Sequence, residues 1–372
     1  MDIRSSALGD LKLRELYEAI SNGVLQQGRV LMLDTPLGKN ALVPLRARGS
    51  ARIGRDYSYT IDVASTRDDT ALLSLMHQPV TLQIQQVTAP FAIPVYRPVH
   101  GFVHRVAYLG GNGGLSTYQI EFSSALVFLE KTHNEEGWLE KDAREIISDV
   151  LDRYPQLRGQ YRFSLLSDPA KRSWCRQSES DLHFVNRLAE AEGWYFYWIH
   201  ENVAEGDAPK TTLVIVDHVS TLPDAKAVEF IRANDSNESD GFAHWAGVQT
   251  MQSTRYISRA FDYKRPASDF QAESALAATS YVAEERRQKV ERSVPDVPMT
   301  VYESTAYGYS SSDTGEARAR RLVEVWDARA SRYFGVGGVR WLDAGSRFVL
   351  NGHPRHEGGD AKKREFLVIE AR

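Results

Sequence analysis

Two pairs of histidines are the residues with the clearest potential for metal chemistry. His100 and His104 lie in a segment with strand-like alternation, so their rings share one face but stand about 13 Å apart at ~3.3 Å per residue. That separation is too long for one metal ion, and we interpret both residues as structural. A second group lies in a loop where a divalent cation could bind, although a solvated loop is the favoured interpretation. This group comprises His353, His356, Glu357 and Asp360.

Cys175 is the residue whose surroundings suggest nucleophilic chemistry. Arg172 and Arg176 are close to it in sequence and could favour its thiolate. A lone cysteine beside an amphipathic segment is more often a small buried hydrophobe, so we expect Cys175 to be buried. Glu190 and Glu192 are two positions apart on a predicted helix and point to different faces, so they cannot form an acid–base pair. Neither group predicts a catalytic site.

Two glycine-rich segments resemble neither of the common phosphate-binding loops. Gly110–Gly114 and Gly335–Gly338 lack the required motif context and have no predicted helix directly behind them, so we predict turns. The sequence also contains no G-x-S-x-G elbow and no H-E-x-x-H helix. We therefore predict that the chain is not an enzyme and has no catalytic, cofactor-binding or metal site.

Length and composition place the chain among ordinary globular proteins. A length of 372 residues exceeds the about 250–300 residues that one core usually fills, so two or three domains are expected. The sequence is 42% hydrophobic and 25% charged, which is typical of such domains. The net charge of −4 shows no overall attraction to nucleic acid or to an anionic membrane.

Cysteine content and hydropathy indicate the compartment in which the chain folds and its route of export. Cys175 is the only cysteine, which excludes an intrachain disulfide and fits folding in a reducing cytoplasm. No apolar run approaches the roughly 20 residues of a membrane span, so no membrane insertion is expected. Residues Met1–Gly28 are charged and helix-like, without the apolar core of a signal peptide. Any export would therefore use a route for folded proteins.

Residues 1–128 form the first predicted domain, a small barrel-like β unit preceded by a helix over Leu11–Leu25. Alternating apolar and polar residues indicate half-buried antiparallel strands joined by glycine turns. A short helix over Asp69–His77 interrupts them. The predicted strands are Arg29–Leu33, Ala41–Arg48, Tyr57–Ala64, Val80–Val87, Val99–Leu109 and Ser116–Val127.

Residues 129–228 form the second predicted domain, of mixed α+β character. A helix is predicted from Leu139 to Tyr154, where Pro155 follows. The block Arg172–His200 then predicts a turn, an amphipathic helix with Ser178 as its N-cap and an aromatic strand. The helix is predicted to end at Gly193. The strand Trp194–Ile199 must be covered, either by its own core or in part by another subunit.

Residues 229–372 form the third predicted domain, a second barrel-like β unit with a helix over 313–330. Ser268–Pro298 fits either an exposed helix or a loop. The helix is predicted to turn Leu322, Val323 and Trp326 inward. The predicted strands are Glu229–Arg232, Ala246–Tyr263, Val336–Trp341, Arg347–Leu350 and Glu365–Ile369. The predicted fold class is thus α+β and predominantly β, with two small barrel-like domains flanking a mixed domain.

The block Arg172–His200 also carries a family resemblance. It resembles the corresponding segment of VgrG proteins, the tip proteins of the type VI secretion machine, which are related to the baseplate hubs of contractile phage tails. Tyr197 replaces a common phenylalanine. The matching residues are Arg172, Cys175, Glu179, Ser180, Asp181, Phe184, Val185, Arg187, Leu188, Glu190, Glu192, Gly193, Tyr195 and Tyr197.

Other segments resemble the same family in the same order, so the resemblance covers roughly Gly28 to Glu370. Ala344 replaces a usual proline in one of them. The segments are Val99–Val103, Tyr118–Phe122, Phe261–Pro266, Arg340–Phe348 and Gly352–Pro354.

The resemblance implies a structural hub of a secretion spike. It implies a phage tail hub-like homotrimer whose six barrels form a pseudo-sixfold ring that caps an Hcp-type tube hexamer. Its further implied partners are baseplate components and spike-tip or effector proteins. It also implies assembly in the cytoplasm and then translocation by the type VI machine toward a target cell.

The sequence also allows two alternative functions. The first is the hub of a contractile phage or pyocin tail, which would have an equivalent structure in another machine. The second is a tail-associated hydrolase acting on the cell wall. A hydrolase would need two carboxylates about 5–10 Å apart in a cleft, or a metal site, and the sequence places neither. The candidate surfaces for trimer contacts are Trp194–Ile199 and the predicted strand end at Trp341.

Overall fold

The computed structural model describes most of the chain. The chain divides into two compact units, one formed by Met1–Phe242 with Gly338–Arg372 and the other by Ala243–Gly337. None of the described helices is long and apolar enough to cross a membrane. The described residues are 29–38, 40–66, 72–86, 94–112, 114–203, 209–231, 240–253, 255–260, 299–305, 312–356 and 361–372.

Strands predominate over helices, which confirms the predicted fold class. The helices are α1 Leu126–Glu130, α2 Ala143–Leu151, α3 Asp181–Glu192 and α4 Ser312–Ala330. The strands are β1 Leu31–Asp34, β2 Val43–Arg52, β3 Ser58–Ser65, β4 Pro79–Gln85, β5 Tyr96–Asn112, β6 Leu115–Ser123, β7 His133–Lys141, β8 Tyr161–Ser164, β9 Arg172–Ser180, β10 Tyr195–Glu201, β11 Lys210–Val216, β12 Lys226–Phe230, β13 Gly241–Gln249, β14 Arg255–Ala260, β15 Thr300–Thr305, β16 Ser331–Gly337, β17 Arg347–Asn351, β18 Glu365–Leu367 and β19 Glu370–Ala371.

The first sheet follows from the two-residue period of its strands. In β3, Tyr59, Ile61 and Val63 are buried and the residues between them face outward. Seven strands run in the order β1-β4-β5-β6-β3-β2-β19, and every neighbouring pair is antiparallel. Strands β1 and β2 lie toward opposite ends of this order yet contact each other. The sheet therefore curls into a half-barrel, as its sequence pattern predicted.

Strand β5 runs well past its neighbour β4. The last β4–β5 pair is Pro79 with Phe102, whereas β6 continues beside β5 until Leu115 pairs with Asn112. Gly110 and Gly111 lie within β5, so this strand extends into the segment Gly110–Gly114 that was predicted to be a turn. Beyond Val103, no described strand pairs with β5 on the β4 side. We call residues 104–112 the distal β5 edge.

Helix α2 begins later than the sequence predicted. Asp142 is its N-cap and forms a capping box with Glu145, each side chain accepting from the other's backbone N–H. The residues Leu139–Lys141 belong instead to the end of β7. Apolar residues there matched the helical period by chance, and the capping box is the signal that marks the true start.

Helix α3 is capped by Ser180, not by the predicted Ser178. The Ser180 hydroxyl accepts from the backbone N–H of His183, while Ser178 lies within β9 at a φ of 52°. Gly193 ends the helix at a φ of 75°, the left-handed conformation that glycine adopts without steric cost. The predicted glycine stop is thus confirmed, and the predicted N-cap was two residues early.

The centre of the chain packs helices against a small mixed sheet. Strand β11 pairs antiparallel with β10 and parallel with β8. Strand β7 pairs with β9 to form a separate two-stranded ribbon. Their shared core is built from the apolar faces of α2 and α3 with residues of the sheet. Its fully buried members include Ile146, Ile147, Val150, Phe184 and Leu188.

The C-terminal segments return to the first unit. Strand β12 pairs parallel with β17 and with the first two residues of β13, and β17 pairs antiparallel with β18. The predicted strand Val336–Trp341 is wrong in position, because β16 already begins at Ser331, directly after α4. Residues around Trp341 instead form turns that end at β17.

In the second unit, α4 packs on a parallel pair of strands, β14 and β15. The core there holds Tyr256, Ala319 and Val323, with Leu322 and Trp326 packed against it, which confirms the predicted inward face. The predicted strand Ala246–Tyr263 is instead two strands, β13 and β14. The predicted turn at Gly335–Gly338 is also wrong, because Gly335 and Gly337 lie within β16 among strand-forming Tyr333, Phe334 and Val336.

Several predictions fall on residues outside the described ranges. These are the helix Leu11–Leu25, the start of the helix Asp69–His77, the segment Phe261–Pro266 and the segment Ser268–Pro298. The three domain boundaries and the similarity of the two barrels stay predictions.

Candidate assembly site

The N-terminus of helix α3 is held by a buried ion pair. Arg176, from β9, donates from Nη1 to the carboxylate of Asp181 in the first turn of α3. The two side chains are 0% and 3% exposed. Tyr154 donates to the second Asp181 oxygen at 2.8 Å. The negative charge also lies where the helix dipole favours an anion. The pair therefore fixes the strand–helix junction at the centre of the family-like block.

Arginines and aromatic rings alternate in a column beside this pair. The Arg172 guanidinium lies 4.5 Å from the Trp174 ring centroid, and that of Arg187 lies 5.2 Å from the Phe184 ring. Phe184 in turn stacks on Trp138 at 4.9 Å. Cation–π contacts of this kind contribute about 0.5–1 kcal/mol at exposed sites and more when desolvated. The column joins the β7–β9 ribbon to helix α3.

Carboxylates neutralise the remaining arginines of the block. Glu179 accepts from Arg187, and Glu192 at the end of α3 accepts from Arg172. Glu190 instead pairs with Arg55 at 2.7 Å. The two glutamates that end α3 therefore have different partners. The family-like residues of this block act on each other and hold the fold.

The aromatic strand β10 is covered on both faces by its own chain. Phe196 packs in the core with α2 and α3, while Tyr197 packs in a second cluster with Val214 and Val216. Trp198 contacts the core of the first sheet as well. The core interpretation of this strand therefore accounts for its apolar run without another subunit.

A turn near the C-terminus ties the last strands to the rest of the first unit. Asp343 accepts from Arg97 of β5 at 2.7 Å, and both side chains are largely buried. Gly345 has a φ of +89° and lies against Tyr197 of β10. Its N–H donates to the Val368 carbonyl at 2.9 Å. Sequence reasoning found this segment by resemblance but missed the Arg97–Asp343 link, because the two residues are far apart in sequence. The predicted contact surface at Trp341 is partly covered, since Lys226 Nζ lies 5.0 Å from its ring centroid.

Buried titratable groups lie where β5 meets β10. His100 donates its backbone N–H to Nδ1 of His200 at 3.2 Å, and its own ring nitrogens contact Thr81 and the Glu201 carbonyl. Burial lowers the pKa of His200 to about 3 and also lowers the pKa of His100. The two rings therefore stay neutral at physiological pH and stabilise the junction by packing.

The pKa of a largely buried carboxyl group just ahead of β3 shifts in the opposite direction. Asp56 accepts backbone hydrogen bonds from Tyr57 and Ser124. Burial, with a smaller contribution from the charge of Glu130, raises the pKa of Asp56 to about 7. The folded protein therefore takes up a proton on Asp56 near neutral pH.

These two shifts predict opposing pH effects on stability. The lowered pKa of His200 causes a loss of stability as pH falls from about 6.5 toward 3, because only the unfolded chain binds the proton. The raised pKa of Asp56 causes a gain as pH falls from about 7 toward 4. The variant Asp56→Asn lacks this gain. As pH falls from 7 to 5, its free energy of unfolding should therefore fall by about 2 kcal/mol more than that of the parent. Urea unfolding at both pH values measures this difference, and equal changes in the free energy of unfolding of the two proteins would contradict it.

Of the residues first considered for chemistry, the described histidines contact different partners. His104 contacts the Ser123 hydroxyl at 3.0 Å, and His100 has other partners. His353 and His356 lie 5.1 Å apart between ring centroids, whereas Glu357 and Asp360 fall outside the described residues. Among the described residues, no group of three or more His, Cys, Asp or Glu could hold a metal ion.

Cys175 was predicted to be buried and is exposed. It lies on the two-stranded β7–β9 ribbon, where alternate residues face solvent, and its carbonyl accepts from Arg187 at 3.0 Å. The neighbouring Trp138 and Trp174 fill the inner face of the ribbon. The amphipathic helix that suggested burial covers only that inner face, and this explains the error.

Two strand edges expose apolar side chains. In the second unit, β16 lies at the edge of its sheet next to β13 and exposes Phe334 and Val336. In the first unit, the distal β5 edge exposes Tyr108 and Leu109. Exposed, unpaired edges of this kind are where chains associate. The sequence signal was present at β16, in the alternation of glycine with Phe334 and Val336, but it was interpreted as a turn.

The sequence matches a known protein family. Residues 50–372 match the family model described as phage tail baseplate hub (GPD). The chain is 27% identical over 356 residues to the type VI secretion system spike protein VgrG1b of Pseudomonas aeruginosa, covering 93% of this chain and 43% of that protein. It is 26% identical to VgrG1a of the same organism and covers 50% of it. The chain thus spans about half the length of the curated relatives it matches.

Solved structures show the same fold at low sequence identity. The Escherichia coli c3393 protein, described as a component of the type VI secretion system with structural similarity to T4 tail proteins gp27 and gp5, aligns with a TM-score of 0.60 at 14% identity. That alignment covers 92% of this chain and 72% of that chain. A tail protein of Neisseria meningitidis also aligns with a TM-score of 0.60, at 11% identity, covering 92% and 90%. From its matched sequence and its shared fold, the chain belongs to the phage tail baseplate hub family.

Proposed function

We propose that this protein is the structural hub of a type VI secretion spike. In this proposal three chains form a homotrimeric ring with pseudo-sixfold symmetry that caps an Hcp-type tube. The observation that carries it is the hub family match over residues 50–372 together with identity to spike proteins over 93% of the chain. Baseplate components and spike-tip or effector proteins are the further proposed partners.

The proposal includes a non-enzymatic role for this part of the chain. The polar residues of the family-like block contact each other: Arg176 binds Asp181, and Arg187 binds Glu179. These contacts stabilise the fold, which supports a structural role for the block. We further propose that the protein assembles in the cytoplasm and is then translocated with the spike.

A hub of a contractile phage or pyocin tail is the second candidate. The observation that favours it is the Neisseria meningitidis tail protein, whose fold matches as well as that of the secretion protein and over more of its own length. Both candidates require the same kind of ring, so they differ in the tube on which it sits.

Two measurements test the proposal. Light scattering at high protein concentration should give three times the mass of one chain, and a monomer there would overturn the hub proposal. Binding is then compared between an Hcp-type hexamer and a phage tail tube protein on the same sensor surface. Preference for the Hcp-type hexamer supports the secretion spike, and preference for the tail tube protein supports the second candidate.

A further inference from the structure

Strands β13 and β16 form a ribbon that is exposed along nearly its whole length. We call this pair the apolar ribbon. Phe334 and Val336 on β16 are 60% and 64% exposed, and Val248 on β13 is 46% exposed. Arg332 is the only residue of the ribbon with a fixed charge, and its side chain is bonded to the Ala328 carbonyl.

Such an exposed strand edge is unusual for a monomeric protein. Proteins protect exposed strand edges with lysine, proline, a bulge or a covering element, because an unpaired edge binds other strands. Strand β16 contains no lysine and no proline, and among the described strands nothing pairs with its outer side. The outer edge of β16 therefore offers backbone hydrogen bonds together with apolar side chains.

The distal β5 edge has matching properties on the other unit. Tyr108 and Leu109 are 56% and 54% exposed, and the charge of Arg105 is neutralised by Glu121. Its backbone faces no described strand on the β4 side. Its nine residues can accommodate the seven residues of β16. Each edge carries one arginine: Arg105 forms an ion pair with Glu121, and Arg332 hydrogen-bonds to the Ala328 carbonyl.

We propose that β16 of one copy pairs with the distal β5 edge of a second copy. The occupant is a second copy because the two edges lie on one chain, are similar in length and are both predominantly apolar. The two edges also differ from each other, so the contact is heterologous and can repeat around a closed ring that leaves neither edge unpaired. Pairing of β16 with itself would close a dimer and would leave the distal β5 edges uncovered. This inference rests on the proposed hub function, and it names the surfaces through which the ring forms.

Crosslinking between two differently tagged chains tests the pairing. Both chains carry Cys175→Ser, which removes the exposed native thiol. One chain then carries Leu109→Cys and the other Val336→Cys. A short bis-maleimide should join the two tags in the mixture, while each variant alone should give no crosslink. A chain with both substitutions should give covalent species up to a trimer, whereas an intrachain crosslink would leave the mass of one chain.

Leu166→Cys replaces Leu109→Cys as the matched control, because Leu166 is a leucine of similar exposure, 65%, outside both edges. It should give no crosslink with Val336→Cys. Val336→Lys provides a second measurement and should weaken self-association roughly tenfold or more, whereas Leu166→Lys should not change it. Unaltered thermal unfolding of each variant shows that it is folded.

The outcomes separate this inference from the proposed function. A trimer by mass whose Leu109→Cys and Val336→Cys chains do not crosslink overturns the pairing and leaves the hub proposal standing. A crosslink of Val336→Cys with itself also overturns the pairing, in favour of a dimeric contact. A monomer at high concentration overturns both. Crosslinks confined to the mixed sample and to the double variant support the pairing.

Discussion

Replacing Arg176 by methionine is expected to lower the free energy of unfolding by about 3–5 kcal/mol. The guanidinium is fully buried and donates to Asp181, so its removal leaves a carboxylate that is 3% exposed without its cation. The helix dipole of α3 and the hydroxyl of Tyr154 offset only part of that cost. Urea unfolding followed by tryptophan fluorescence and by circular dichroism measures the change.

Two comparisons make this result specific. Arg144 pairs with Asp168 at 3.0 Å, but their side chains are 41% and 85% exposed, so Arg144→Met should cost no more than about 1 kcal/mol. The double variant Arg176→Met with Asp181→Leu should recover part of the loss, because no buried charge remains unpaired. Equal effects of Arg176→Met and Arg144→Met would refute the buried ion pair as the cause.

Gly345→Ala is expected to lower the free energy of unfolding by about 2–5 kcal/mol. An added Cβ would lie 2.6 Å from the Cβ of Tyr197, and overpacking of this kind costs about 1–3 kcal/mol. The φ of +89° adds about 1–2 kcal/mol for any residue with a Cβ. Chemical denaturation of the parent and the variant at one pH measures the sum.

Two other glycines separate these causes. Gly159 has a φ of +73° and no described atom within 4 Å of an added Cβ, so Gly159→Ala reports the cost of a left-handed backbone conformation alone. Gly338 has neither a positive φ nor a described atom near an added Cβ, so Gly338→Ala should be nearly neutral. If Gly345→Ala costs no more than Gly159→Ala, the contact with Tyr197 adds nothing to the cost.

Local signals in the sequence predicted much of the first sheet and helix α3. The alternation in β3 and the left-handed glycine at Gly193 report conformations that neighbouring residues determine. Errors arose where two signals competed. Leu139 continued a helical period into what is strand β7, and the Asp142–Glu145 capping box was the deciding local feature.

Side-chain pairings could not be predicted in the same way. For chemistry, Arg172 and Arg176 were considered as neighbours of Cys175, yet their partners are Glu192 and Asp181. Ser178, at a φ of 52°, locally disrupts β9 just ahead of α3. No periodicity in the sequence encodes such an irregularity. The family resemblance grouped Arg172, Asp181 and Glu192 without giving their contacts.

Strand β19 has a consequence for how the protein is made. Glu370 and Ala371 pair with Arg52 and Ala51, so the seventh strand of the first sheet comes from the last residues of the chain. Contacts so distant in sequence incur a large loop-closure cost and slow folding. The first half-barrel can begin to form on the ribosome, but its final strand can join only after the whole second unit has been synthesised. A chain halted within the second unit would therefore display the outer side of β2 to chaperones and to other nascent chains.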